Sequence, residues 1–445
     1  MELQVNLDMK RGCSFLIAFL FSIDLVARSE AIGVHNWSSI LNNQPSKNWV
    51  ILLAGSDTWT NYRHQANVYH AYQVVRANNV PPENIITFAV DDIANNRSNP
   101  FKGSVFHDYR HEDVYNGVVI DYRDKDVNPK MFEKVLKGDK TLERQGKKVL
   151  NSGRDDYVFI YYTGHGLPYE ISFPSENLDA AEFNKLLIYL YSNYKYKKMV
   201  LYMDACRSGS IFQGMLPSEV GIYATTSAKD NEDSFAEFCE DSRISVCLAT
   251  EFSYAWITDS QFKDIKTRTL DQQYEEVKRR TVSSHVMRYG EMAMKSLPVG
   301  KFQGHYDLPM HRNDKEIALS AADRKPSSRV YLFSMSRNLM EAITVEEHET
   351  AWRKLYRALQ LGHIVKEMFR DIVMDVTTHY KPSVNELSNR NEISCFKAVF
   401  DHFRMHCFTI KQVPEVARQT AHLMELCKAG YDAETLIEAV HNICS

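Results

Sequence analysis

Two apolar runs, each ending in a reactive side chain among small residues, constrain what this chain can fold into more than any other feature. Met199-Val-Leu-Tyr-Met203 is short and apolar enough for a buried strand, and it delivers Cys206 just before Ser208, Gly209 and Ser210. Upstream, Tyr157-Val-Phe-Ile-Tyr-Tyr-Thr163 is a second such run, ending in His165 between Gly164 and Gly166. If both lie in one parallel sheet, both residues emerge at its carboxyl edge, where open α/β sheets place their sites. A cysteine after a strand is more often an inert buried thiol, and a histidine between glycines a turn residue. The shared strand-and-glycine setting tips the balance towards catalysis. Small residues let a substrate approach the backbone, and a thiol beside an imidazole forms a nucleophile–base pair.

The flanking sequence supplies the rest of such a sheet. Trp49 to Ala54 reads as a first strand running into the turn Gly55-Ser-Asp57. A helix from Asn61 follows, with Val68, Ala71, Tyr72 and Val75 on one face, and after Pro81-Pro82 comes a strand over 85–90. This βαβ rhythm implies a parallel sheet covered by helices on both faces. Asp91 to Asp126 is polar and loop-like. Further helices are expected over 129–142, over 179–194 with Phe183, Leu186, Leu187, Leu190 and Tyr191 inward, and over 269–280, with a strand over 222–226. From His305 to about Met335 no hydrophobic period persists, and Pro309, Pro326, Ser327 and Ser328 interrupt it. Residues 338–378 then have helical spacing throughout, with Leu355, Leu359, Ile364, Phe369 and Ile372 as buried candidates, and three shorter helices follow. The expected organisation is a leader over 1–31, an α/β domain over 32–304, a linker over 305–335 and an all-α domain over 336–445.

Lys10 and Arg11 precede the apolar run Cys13 to Ile23, and Ser29-Glu-Ala31 has the small-x-small form of a cleavage site, so the leader reads as a signal peptide. Asn36-Trp-Ser38 and Asn96-Arg-Ser98 are glycosylation sequons, which agree with a secretory route. Cys395, Cys407, Cys427 and Cys444 crowd the C-terminal end and read as two disulfides of a small stapled domain, with three pairings open. The net charge of -4 gives no reason to expect a nucleic-acid partner, and no other stretch approaches a membrane span. His305 and His311 stand without cysteine neighbours, so no metal and no cofactor are expected.

Several phrases together carry a family resemblance: Asn61-Tyr-Arg-His-Gln65, Ala89-Val-Asp-Asp-Ile-Ala94, Asp204-Ala-Cys-Arg207, Tyr223-Ala-Thr-Thr226, Ser284-His-Val-Met287 and Phe302-Gln-Gly304. From about Trp49 to Ser445 the chain resembles the legumain family, the asparaginyl endopeptidases of the caspase-like clan of cysteine peptidases. The resemblance implies a caspase-like, mostly parallel sheet flanked by helices and followed by an all-α C-terminal prodomain. It implies Cys206 as nucleophile, His165 as general base or acid, Asn61 as the group orienting His165, and Gly166 with the Cys206 amide as oxyanion hole. Arg63, His64, Asp204, Thr250 and Ser253 match positions around the pocket for the residue before the scissile bond. The implied disulfides are Cys395–Cys427 and Cys407–Cys444, and Asn313 and Asn338 are candidate processing sites. Peptide and protein substrates, the chain's own prodomain as inhibitor and cystatin-type inhibitors are the implied partners, in the lysosome, vacuole or extracellular space. Self-processing at acid pH is implied as well.

The chain also departs from that family. Gly164 stands where an Asp is usual, Asp204 where a Glu is usual, and Thr250 where the pocket has an Asp. Fewer carboxylates beside Arg63 make the pocket more positive, which weakens discrimination against Asp relative to Asn. Cys239 and Cys247 have no counterpart and either pair with each other or leave a free thiol. Thr-Gly-His-Gly also occurs in the related catalytic subunit of the GPI transamidase, which lacks the double-disulfide prodomain. A catalytically inactive, legumain-like binding protein is the third reading.

Overall fold

Six strands form the central sheet of the computed structural model, which describes residues 46–304, 317, 319–382 and 389–444. They are β1 (Asn48–Ala54), β2 (Ile85–Phe88), β3 (Tyr157–Thr163), β4 (Lys198–Asp204), β5 (Ile222–Thr226) and β6 (Met287–Gly290), in the order β6-β5-β4-β3-β1-β2. All neighbours are parallel except β6, which runs antiparallel to β5. The strands are apolar on both faces because both faces are covered. Val50, Leu52, Phe159, Tyr161, Val200 and Tyr202 face one core, and Ile51, Leu53, Ile160, Tyr162, Leu201 and Met203 face the other. Those parities are the two sides of a pleated strand.

Helix α1 (Tyr62–Ala77), α3 (Glu251–Phe262) and α4 (Leu270–Arg280) contribute to the first core; α2 (Ala180–Ser192) contributes to the second. Trp256 of α3, fully buried, meets Phe159, Tyr161 and Tyr202 edge-on at centroid separations of 5.6, 4.9 and 5.5 Å. Of the α2 residues expected inward, Tyr191 is instead 47% exposed, since it lies at the rim of the buried stripe set by Phe183, Leu186, Leu187 and Leu190. The helix expected over 129–142 is two helices, Pro129–Lys137 and Lys140–Arg144, broken where Gly138 takes φ 71° and Asp139 caps the second.

The C-terminal region is helical: α5 (Val330–Glu341), α6 (Val345–His379), α7 (Asn389–His406), α8 (Glu415–Lys428) and α9 (Ala433–Cys444). The architecture is thus a caspase-like sheet with a helical C-terminal region. Three expectations are corrected here. The stretch read as linker up to Met335 contains a short strand, Lys325–Pro326, and the start of α5. Leu359 and Ile364 are 51% and 47% exposed, because only the second half of α6 packs, through Val365, Phe369, Ile372 and Val376. Helical spacing is also interrupted before α6, where Thr344 closes a capping box with Glu347. Disulfides join Cys395–Cys427, Cys407–Cys444 and Cys239–Cys247. No helix among the described residues is long and apolar enough to cross a membrane.

Candidate active site

In this strand order the chain reverses direction between β1 and β3, the switch point at which open α/β sheets bind ligands. Thr163 is paired with Asp204, so two residues beyond each strand His165 and Cys206 stand side by side at the carboxyl edge. Gly166 presses against the cysteine: a Cβ there would lie 2.0 Å from the Cys206 carbonyl oxygen, so only glycine fits. Arg207, immediately after the thiol, is held in the left-handed region at φ 56°, the kind of local strain that clusters at functional sites. It is anchored by Asp233 at 3.5 Å and by donating to the Arg418 carbonyl at 3.3 Å.

Asn61 ends the turn after β1. Its Nδ2 donates to the Asp57 carbonyl at 3.0 Å, which fixes the amide so that Oδ1 faces His165 Nε2 at 2.9 Å. An oxygen there requires the proton on Nε2, leaving Nδ1 as the basic nitrogen of the neutral ring. Burial, then the Arg63 cation, push the His165 pKa down to about 3, and burial pushes the Cys206 thiol up to about 12. Thiol and imidazole are therefore both neutral in this state. His64 stacks edge-on against His165 at 5.0 Å and shares a 2.6 Å hydrogen bond with the Ser56 hydroxyl.

The family-atypical Gly164 has a local cause. A side chain there would strike the Tyr162 hydroxyl at 2.4 Å, and that hydroxyl donates to the His165 and Ser172 carbonyls at 2.9 and 2.6 Å. The phenol fills the space and steadies the turn that carries His165.

Beside this pair lies a polar pocket. Arg63 and Asp204 are each 1% exposed. Burial lowers the Arg63 pKa to about 10, opposed by the nearby Cys206 and Asp204. Burial raises that of Asp204, opposed by the Ser253 and Thr250 hydroxyls. Both hydroxyls donate to Asp204 Oδ2, while Oδ1 is buried without a hydrogen-bond partner. Glu237 is also buried, and burial with the neighbouring Glu251 pushes it up to about 8.

Every candidate catalytic and pocket residue is thus placed in one locality. Ser234 was not foreseen: its hydroxyl lies 3.7 Å from Cys206 Sγ and donates to Ser327 Oγ at 3.2 Å. Lys325 and Pro326 pair antiparallel with Ala236 and Phe235, and Ser327 N–H continues the ladder to the Ser234 carbonyl at 2.9 Å. The Ser327 carbonyl accepts from Arg63 Nη2 at 3.4 Å. An extended segment therefore lies along the site, and α8 closes over Arg207. Asn338 is exposed in the middle of α5, and Asn96 is half-buried in a turn, its Nδ2 donating to the Asp92 carbonyl at 3.0 Å. Asn36, Asn313 and the leader lie outside the described residues. No group of three or more His, Cys, Asp or Glu among the described residues could hold a metal ion.

Residues 48–305 match the model of the Peptidase C13 family. The chain is 43% identical to a hemoglobinase of Schistosoma japonicum over 396 residues, covering 89% of this chain and 92% of that protein. It is 36% identical to a legumain of Rattus norvegicus over 438 residues, covering 96% and 98%. With a vacuolar-processing enzyme delta-isozyme of Arabidopsis thaliana the identity is 31% over 462 residues, covering 97% of each.

Proposed function

Because the chain belongs to the Peptidase C13 family and is a cysteine-type endopeptidase, we propose that it cleaves after asparagine, and secondarily aspartate, and that it is held latent by its own C-terminal region until acid pH releases it. One observation carries the specificity: a buried carboxylate oxygen without a partner, Asp204 Oδ1, beside the buried Arg63 guanidinium. An asparagine side chain has two amide protons and one carbonyl oxygen, so it needs an acceptor and a donor together. A mismatched side chain leaves one of these buried groups unpaired, at a cost of roughly 1–3 kcal/mol.

Cys206 Sγ attacks the peptide carbonyl and passes its proton to His165 Nδ1, which returns it to the leaving amine as the thioester forms. Water, deprotonated by the same nitrogen, then hydrolyses the thioester. The Gly166 and Cys206 N–H groups face the developing oxyanion. Ser327 and α8 are the groups to be displaced first. His165 is kept neutral by burial and by the Arg63 cation, with its neighbours Asn61, His64 and Tyr162 all in the sheet body. The fold type and the disulfides suit a secretory, lysosomal or vacuolar setting.

The test is to incubate the purified chain at mildly acid pH and read the cut sites in a peptide library. Cuts concentrated after Asn, lost in Cys206→Ala, are expected. Cuts spread over unrelated residues would refute the pocket assignment, and wild-type turnover by Cys206→Ala would refute the nucleophile.

A further inference from the structure

Asp204 is the end of a buried hydrogen-bonded chain that starts on the far side of α1. Gln261 Oε1 lies 3.2 Å from His70 Nε2, His70 Nδ1 lies 2.7 Å from His107 Nδ1, and His107 Nε2 lies 2.7 Å from Asn67 Oδ1. Asn67 Nδ2 then donates to Thr163 Oγ1 at 3.0 Å and to Thr250 Oγ1 at 2.7 Å, and Thr250 donates to Asp204. His70 and His107 line a cavity of about 210 Å³ with Asp108, Arg110, Thr258 and Gln261.

The proton directions in this chain are not free. The Thr250 backbone N–H, which can only donate, faces Asn67 Oδ1 at 3.3 Å, so that atom is the oxygen and Nδ2 faces the two threonines. Thr250 Oγ1 accepts from Asn67 and must send its one proton to Asp204. The same logic makes His107 Nε2 an N–H donor and, with both rings neutral, makes His70 Nδ1 the donor to His107 Nδ1; His70 Nε2 is then bare, so the Gln261 amide turns its N–H group, not its oxygen, towards it. Every proton from His70 onward therefore points towards Asp204. Two anchors hold the Asn67 amide in that sense, and the His107 contact is the shorter. If the amide turned over, its oxygen would face Thr250, whose proton would swing away from Asp204.

We propose that His107, acting through Asn67 and Thr250, is a positioning residue for the specificity pocket: it keeps the Thr250 proton on Asp204 and thereby sets the pH at which the pocket begins to accept aspartate as well as asparagine. This rests on the reading of Asp204 as the acceptor for the substrate side chain. An ionised Asp204 accepts from an asparagine amide and repels an aspartate carboxylate; a protonated Asp204 does not repel it. Removing one hydroxyl donor raises the pH at which Asp204 takes up its proton. The other charged or titratable groups facing Asp204 are Arg63, Tyr161, Tyr162 and Glu237. Those acting on the histidine pair are Asp108 and Arg110. None of these is altered by the substitutions below.

The experiment measures kcat/KM on matched Asn and Asp peptides across the acid to neutral range, for acid-processed wild type, His107→Leu, His107→Gln, Thr250→Val and the double variant His107→Leu/Thr250→Val. The Asn-to-Asp ratio is independent of how much enzyme is folded, and Asn67→Leu breaks the chain at a second place. The expected result is that His107→Leu, Asn67→Leu and Thr250→Val each move the onset of Asp cleavage up by about one pH unit. The double variant moves no further, and His107→Gln, which keeps a donor, stays near wild type. A ratio in His107→Leu and Asn67→Leu that matches wild type at every pH, while Thr250→Val shifts, overturns the inference alone. Equal shifts in His107→Gln and His107→Leu overturn it too, since a packing role would give them. A wild type that cleaves after neither residue overturns the pocket reading and this inference with it.

Discussion

In the sheet body, β1, β3 and β4 are buried on both faces, and the reactive groups are held by side chains that are themselves almost wholly buried: Tyr162, Arg63, Asp204 and Ser253. From Val330 onward the chain is organised differently. Its core is a smaller set centred on Phe369, Phe396, Phe403, Leu423 and Val440, stapled by two disulfides, while Trp352, Tyr356 and Leu359 of α6 lie about half exposed. The contacts between the two regions are both polar and apolar: Arg418 to Arg207, Lys411 to Asp57 at 3.5 Å, Lys428 to Asp230 at 3.8 Å, the buried Arg337 donating to the Cys239, Asp241 and Ile244 carbonyls, Val330 packed with Ala236, Cys239 and Cys247, and Leu167 buried in the helical core. The supports of the site lie within the sheet body, whereas α5 is tied to that body through the buried Arg337 and Val330, and the chain around α8 meets it through the ion pairs of Lys411 and Lys428. Such exposed pairs are worth only about 0–1 kcal/mol each.

Substitutions that act on one region alone sharpen this contrast. The largest stability loss is expected for Trp256→Ala, which empties the body's aromatic core at a cost of about 3–5 kcal/mol. Denaturant unfolding followed by activity should show it, with the helical region's transition unmoved. Replacing Cys395 and Cys427 together by Ser should cost about 2–5 kcal/mol, felt by the helical region first. Hydrogen exchange should report early loss of protection in α7 and α8 with β1, β3 and β4 unchanged, and simultaneous loss in both regions would break the contrast. A smaller effect, about 1–3 kcal/mol, is expected for Tyr162→Phe, which leaves the His165 and Ser172 carbonyls without their shared donor. It should lower kcat more than it raises KM, because the turn carrying His165 loosens.

Acid acts on the body too, with opposing signs. His165 and His70, down to about 3 and about 4 from 6.5, stay neutral when folded, so stability falls as pH drops through that window. Glu237, up to about 8 from 4.5, stays protonated when folded and favours the fold as pH falls from 8 towards 4.5.

The sheet and the Cys206–His165 pair were legible in the sequence because each rests on a local signal: an apolar run of strand length, then small residues. Asn61, Arg63 and Thr250 came from family resemblance, and their neighbours could not come from either source. Ser234 sits in a polar loop, and only the ladder to Ser327, 93 residues on, brings it to the thiol. Gly164 read as a departure from the family, and its cause is the hydroxyl of Tyr162 two residues back, whose position is set by the His165 and Ser172 carbonyls and is not visible in the sequence. Leu359 and Ile364 failed for the opposite reason: helical spacing marks an apolar stripe whether or not anything packs on it.

The account turns on the proposal that the C-terminal region keeps the neutral Cys206 thiol out of reach until acid pH releases it. The direct measurement is the alkylation rate of Cys206, the free cysteine among the described residues, read by peptide mass mapping in the intact chain at neutral pH and after mildly acid incubation. The expected result is a slow rate in the intact chain and a rise of at least about a hundred-fold after acid treatment, in step with cleavage after Asn. Rapid labelling of the intact chain at neutral pH would contradict it.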